Sequence, residues 1–403
     1  MEFPTNCARR GIALTGGRLS VYGLVWALAG FGVLMFMGVG CRMDSAQNNS
    51  AGLGSSQKEG VKYAQFFWFS ARGDTLWLQD KGGTATAWVH HRAGAPHRTR
   101  GNAEGPVHAI PADCALATWS TTHAPYLLAL DTHEAWRAAG FIHRIEDIPA
   151  ALLKDLTNLG GDGGLDEEAL VASGAQLLTS YPFGDPMKGV AERTGIPVMS
   201  LSEYAEPHPL GRAEYIKVFG WLTGKMDTAD AIFEGIAGRY ESLRKRGREA
   251  AEKGGYPLVF TGSEQGGAWT APAGDGLVAR LVEDAGGAYL IDEHKEQQWG
   301  LRRKGSNVEM DREQFALMAA EADAWGKVVF APEGWHREDA EQALSWLPLS
   351  DKLLFHCNTA ETDYFGRAVI EPDRMLSDLV SILHGLPRET EGMGYFQKTL
   401  PRP

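Results

Sequence analysis

The chain predicts an α/β protein of two parallel-sheet lobes bridged by one long rigid helix, and three observations predict it. Its 403 residues exceed the size at which a single hydrophobic core stops growing, so two domains are the default. Strand-like apolar runs alternate with helical patterns on both sides of residues 227–253, the rhythm of parallel strands with helical crossovers. Between the halves, Ile232, Phe233, Ile236, Tyr240 and Leu243 recur at helical spacing after a capping candidate, Asp227 or Thr228. About twenty-five helical residues span roughly 37 Å at ~1.5 Å per residue, more than a crossover helix within one domain needs. Two lobes on such a rod leave a cleft, a favoured place for a small ligand.

Taken in order, the chain opens on an export signal over residues 1–41. Arg9, Arg10 and Arg18 precede an apolar run over 21–39, and Gly40-Cys41 follows. A small residue directly before a cysteine at that point resembles the bacterial lipobox, which implies lipidation of Cys41. Gly38 stands where leucine is usual, and the run is long enough that an uncleaved membrane anchor is the alternative. Both readings place the body outside the cytoplasm, in the periplasm or on the cell surface, held to the membrane only through its anchor. Residues 42–60, whose only bulky apolar side chains are Met43 and Leu53, read as a flexible tether.

The N-terminal lobe is assigned to 61–226. Its β-rich lead, YAQFFWFSARGDTLWLQD and TATAWVHH, gives way to a buried strand, CALATW, at 114–119. Ser120-Thr121-Thr122 opens a helix through Leu130, and AQLLTS at 175–180 is a second strand, ending at Tyr181-Pro182-Phe183-Gly184. A helix over 185–194 and the strand IPVMSL follow. The GGDGG at 160–164 lacks the Lys and Ser/Thr of a phosphate loop and reads as a turn. The connecting helix is 227–253.

The C-terminal lobe, 254–387, repeats the plan: strand 257–261, helix 276–285, strands 327–331 and 353–357, and a closing helix over 374–384. Residues 388–403 read as a tail, partly ordered at best.

Composition narrows the function. A net charge of −12 argues against nucleic acid, whose phosphates reward a basic face. Of four cysteines, Cys7 and Cys41 belong to the signal, leaving Cys114 and Cys357, one per lobe, as buried thiols rather than a disulfide. No CxxC or Cys/His metal spacing exists.

Four segments in order carry a resemblance: ATWSTTHAPYLLAL, EYAEPHPLGRAEYIKVFGWLTGK, WTAPAGDGLVARLVEDAGGAYL and TDYFGRAVIEPDRMLSDLVSILHG. Together, over about residues 105–386, they resemble the periplasmic solute-binding proteins of ABC importers, in the subgroup for cobalamin, haem and ferric siderophores. The resemblance implies a class III binding protein, a monomer that closes little on its ligand, catalyses nothing and delivers cargo to permease subunits. It implies no cofactor and no bound metal of its own, the cargo being an iron chelate, haem or corrinoid. It also implies permease docking through one acid per lobe, here Asp185 and Asp275, each opening a helix, where an ordinary capping role is the competing reading.

Residues at strand ends or helix starts are the cleft candidates. In the first lobe these are Trp119, Thr121, Thr122, Tyr181 and Phe183; in the second, Trp269, Thr270, Trp299, Trp335, Asp363, Tyr364 and Arg367. Aromatic walls suit large flat ligands, and an arginine adds a bidentate contact to a carboxylate. Arg367 and Asp363 lie four apart and also suit pairing with each other. His208, between Pro207 and Pro209, reads as a structural joint, and His123 as structural too.

Two further classes compete. A direct metal-ion importer component needs three or four ligands converging on the cleft, and only His123, His208 and scattered acids are available. An exported hydrolase lacks a GxSxG elbow, since TGSEQGG has the wrong spacing, and lacks HExxH.

Overall fold

A computed structural model describes residues 60–91, 106–182, 187–390, 392 and 394–402. The expected signal, Cys41 and the tether up to residue 59 lie outside the described residues.

The lead is a four-stranded sheet in which β1 (Phe67–Phe69), β2 (Thr75–Gln79) and β3 (Ala85–His91) pair antiparallel and β4 (Val107–Pro111) lies parallel to β3. Period-two alternation buries Phe67, Phe69, Leu76 and Leu78 and turns Trp68 and Trp77 to the other face, where their rings stack at 6.1 Å. Two buried carboxylates fix where the body begins. Glu214 accepts the backbone N–H groups of Lys62, Tyr63 and Ala64 at 2.8, 2.7 and 2.9 Å, and Glu206 accepts those of Gln65 and Phe66. Lys217 Nζ, 3.2 Å from Glu214, neutralises that carboxylate and donates to the Gly60 carbonyl.

Lobe one follows with β5 (Leu116–Thr118), β6 (Trp136–Ala139) and β7 (Thr157–Asn158), then a short hairpin of β8 (Gly160–Gly161) and β9 (Gly164–Leu165). β10 (Leu177–Ser180) and β11 (Val198–Ser200) complete a sheet of order β11-β10-β5-β6-β7, parallel throughout. Of the helix expected over 185–194, residues 185 and 186 lie outside the described residues, and the described helix is Val190–Thr194, entered through Gly189 at φ +70°.

The bridging helix spans Met226–Gly254, 29 residues, about 43 Å at ~1.5 Å each. It buries Ala229, Phe233, Ile236, Ala237, Tyr240, Leu243, Gly247 and Ala251, one face at helical period, with Ile232 at its margin. Neither Asp227 nor Thr228 caps it. The chain turns at Gly224 (φ +68°), and Ala229 N–H bonds the Lys225 carbonyl, so the start is made by backbone.

Lobe two holds two sheets. β12 (Leu258–Phe260) is followed by β13 (Ser263–Gln265), β14 (Ala268–Pro272), β15 (Ala288–Tyr289), β16 (Arg302–Lys304), β17 (Asn307–Asp311), β18 (Ala324–Val329), β19 (Leu353–Asn358) and β20 (Gln397–Lys398). The main sheet runs β15-β12-β18-β19-β20, parallel except for β20. The second, β13-β14-β17-β16, is antiparallel and was not expected from the sequence.

The tail is part of the fold rather than a loose end. β20 adds an edge strand, the buried Asp378 carboxylate accepts the Tyr395 and Phe396 N–H groups, and His356 bonds Thr399 at 2.8 Å. The closing helix, Pro372–His384, packs along the bridging helix, and one buried apolar cluster runs from Ala64 to Tyr395 through both lobes. Cys114 and Cys357 are free and buried, which pushes both thiols up to about 12. Among the described residues no helix is long and apolar enough to cross a membrane.

Candidate ligand cleft

In lobe one the candidates gather where the parallel strands end. Trp119 follows β5, lies edge-on to Phe141 at 4.9 Å and rests on Gly140, where a Cβ would come within 2.5 Å of its ring. At 3% exposure Trp119 is a buried floor rather than a free wall. Tyr181, half-buried just past β10, has its phenol pushed up by burial. Phe183 lies outside the described residues.

Thr121 and Thr122 form a single 3-10 turn, Thr121–His123, ahead of helix Ala124–Ala129. Thr122 Oγ1 donates to Glu203 Oε1 at 2.8 Å and meets Ser120 Oγ at 2.7 Å. Behind them His123, fully buried, places Nε2 3.5 Å from the same Glu203 oxygen and Nδ1 2.9 Å from Thr179 Oγ1. Burial pushes the Glu203 carboxyl up, but His123, Arg212 and Thr122 together outweigh it and hold the group below the usual range. His123 therefore belongs to the interior.

In lobe two the loop after β19 brings Asp363, Tyr364 and Arg367 together. Asp363 accepts the backbone N–H of Arg367 at 2.7 Å and does not take its guanidinium. That group instead reaches Glu371 at 3.0 Å and, across the lobes, Asp147 at 2.8 Å. Burial pushes the Asp363 carboxyl up and the Tyr364 phenol up to about 12. Trp335, half-buried past the end of β18, has Lys327 Nζ 5.4 Å from its ring centroid, and burial pulls that ammonium down.

Two candidates are corrected. Trp269 is inside β14, 1% exposed, stacked on Phe315 at 3.8 Å and donating Nε1–H to the Thr261 carbonyl. It is a core residue, and Thr270 beside it is on the opposite face of that antiparallel sheet, paired with Ser263 and Glu309. The alternation of the strand decides both placements. Trp299 ends helix Glu293–Gln298, half-buried against the lobe-two core, its carbonyl accepting from Gln314.

Asp275 is exposed and pairs with Arg303 at 2.9 Å; Arg303 also holds Glu296 at 2.7 Å. The N-cap of helix Leu277–Asp284 is Gly276, so Asp275 does no capping. Asp185 lies outside the described residues, and the nearest described helix opens at Val190.

His208 is the joint its prolines suggest. Its Nδ1 accepts the Leu210 N–H, its ring packs against Tyr63 and Tyr240, and its Nε2 lies 3.8 Å from Asp284, which also takes the Tyr240 hydroxyl. Burial pulls His208 down to about 4.

The sequence reading singled out neither Arg212 nor Glu203 as a site residue. Glu203 opens the 3-10 turn Glu203–Ala205 and Arg212 lies in the short helix Pro209–Ala213, both before the bridging helix, where no motif marks a polar interior. Among the described residues no group of three or more His, Cys, Asp or Glu could hold a metal ion.

Several solved structures share this arrangement. A periplasmic binding protein from Veillonella parvula aligns with a TM-score of 0.54 at 12% identity, over 78% of this chain and 98% of its own. A periplasmic heme binding protein from Pseudomonas aeruginosa gives 0.52 at 13%, over 72% and 99%. A siderophore binding protein from Vibrio cholerae with Fe3+-Desferal bound gives 0.50 at 13%, over 67% and 99%. The fold is therefore that of the two-lobed periplasmic solute-binding proteins. In sequence, an uncharacterized lipoprotein of Methanocaldococcus jannaschii is 22% identical over 234 residues, 57% of this chain. The match spans about half, 53%, of that relative's length. No protein-family profile matches the chain.

Proposed function

We propose that this protein is the extracytoplasmic solute-binding component of an ABC importer. It captures an iron-siderophore, haem or cobalamin type chelate between its lobes and hands it to the permease subunits, without catalysis. The observation that carries the reading is the pair of parallel-sheet lobes held by one helix that shares its apolar core with both. Haem- and siderophore-binding proteins have this architecture over almost their whole length, which supports the same class of cargo here. Export and lipid anchoring at Cys41 belong to the reading, and the lipoprotein description of the archaeal relative supports them. Asp185 and Asp275 are the docking acids in it, and Asp275 is exposed as docking requires.

Tryptophan fluorescence of the full chain in mild detergent, titrated with haem, cobalamin and a panel of ferric siderophores, tests it. Saturable one-to-one binding of one compound, recovered unchanged, is the expected result. Turnover of a bound compound would transfer the protein to the enzymes. Reversing Asp185 and Asp275 together to Arg is expected to stop delivery and leave solution affinity intact.

A further inference from the structure

Arg212 is a half-buried cation without a counter-ion. Its Nε is buried and makes no hydrogen bond, and no ion pair includes it among the described residues. Several other buried or partly buried basic side chains of this protein are neutralised: Lys217 by Glu214, Arg374 by Glu371, Arg246 by Glu389. Acids are not scarce either, with 51 Asp and Glu against 39 Lys and Arg. Withdrawing a guanidinium from water unpaired is costly, so its retention calls for a compensating partner.

The position is fixed and lies between the lobes. Helix Pro209–Ala213 packs against the lobe-two turn Arg367–Ile370, and the Tyr126 hydroxyl donates to the Arg212 carbonyl at 2.7 Å. On the lobe-one side the charge acts on Glu203, but that carboxylate stands outside ion-pair range and is already engaged by Thr122 and His123. On the lobe-two side it acts on the phenol of Tyr364. The guanidinium thus sits between the two lobes, and its Nε–H has no partner among the described residues.

We propose that Arg212 reads the charge of the cargo: it takes a carboxylate of the bound chelate in a bidentate pair, so the protein selects an anionic chelate over a neutral one of the same shape. The inference rests on the solute-binding reading above. A planar five-donor fork matches a carboxylate in a way an ammonium does not, and water exclusion between the lobes strengthens the pair.

The test uses the full chain in detergent with two probes that share one macrocycle, haem and its dimethyl ester, which differ in free carboxylates and by one methyl group on each propionate. The wild type is expected to bind haem at least about tenfold more tightly than the ester, ~1.4 kcal/mol. Arg212→Met removes that preference, Arg212→Lys restores part of it, and thermal stability is unchanged or raised because an unpaired cation has been taken out. Equal affinity of the wild type for both probes overturns the inference, as does an Arg212→Met protein that keeps the preference. Loss of both probes together with a lowered Tm overturns it too, since that marks a structural role. If no chelate of any charge binds the wild type, the solute-binding reading itself fails and this inference falls with it.

Discussion

Asp147 and Arg367, 220 positions apart, meet at 2.8 Å and tie the first lobe to the second. The pair stands among like charges: Glu146 and Asp363 have carboxyls pushed up, first by burial and then by neighbouring acids that include Asp147. Arg367 is thus the cation of a small acidic seam between the lobes, and it is held by Glu371 as well.

Asp147→Asn releases one side of that seam. An exposed ion pair contributes at most about 1 kcal/mol, so the urea midpoint is expected to shift little. Cargo affinity, measured at low and high salt, is expected to lose part of its salt dependence. An unchanged salt dependence would remove the seam from any role in closure.

Trp269→Ala is expected to behave as a core deletion, costing ~3–5 kcal/mol as large aromatic truncations do. The indole is buried against Phe315 and anchored to Thr261. Denaturant unfolding reads the loss directly; a stable variant with selectively weakened binding would return Trp269 to the cleft.

Glu214→Ala leaves three backbone N–H groups and the Lys217 ammonium without their acceptor. Removing one side of a buried charged pair costs ~3–5 kcal/mol. Amide exchange is expected to rise first at residues 62–66, and protection there equal to the wild type would refute the anchoring role.

Acid is expected to unfold the protein through two histidines. Burial depresses His208 and His356 to about 4 from an ordinary value near 6.5. The folded state prefers both neutral, so their contribution is complete above about pH 6.5 and is lost as pH falls toward 4. His356→Gln is expected to flatten the fall in urea midpoint over that interval; an equally steep fall in the variant would assign the acid sensitivity elsewhere.

The two parallel sheets and the bridging helix were legible because their apolar residues repeat at one period over long enough stretches. Phe233, Ile236, Tyr240 and Leu243 all face inward as their spacing requires. The antiparallel sheet around Trp269 was not legible. AWTAP alternates inward and outward, but five residues ending in proline read equally as a strand end entering a turn. β20 carries only Gln397 and Lys398, so its pairing with β19 depends on backbone alone. Asp363 and Arg367 could be placed near each other from sequence, whereas the choice of Asp147 as the guanidinium's partner depended on tertiary structure. Arg212 was hidden for the same reason: a missing partner leaves no pattern.

Where the bridging helix meets lobe two, Gly247 lies so close that a Cβ would stand 2.7 Å from the Ala285 carbonyl oxygen, and Tyr240 is bonded to Asp284 two turns earlier. Its other end packs on helix Ile216–Leu222 and, through Phe233, edge-on against Tyr63. A helix gripped at both ends is a gauge whose length cannot drift. One residue added between Phe233 and Tyr240 would advance the second lobe by ~1.5 Å and swing it by about 100°. Evolution can repaint this rod by substitution, but insertions and deletions must be accommodated in the loops that fringe the lobes.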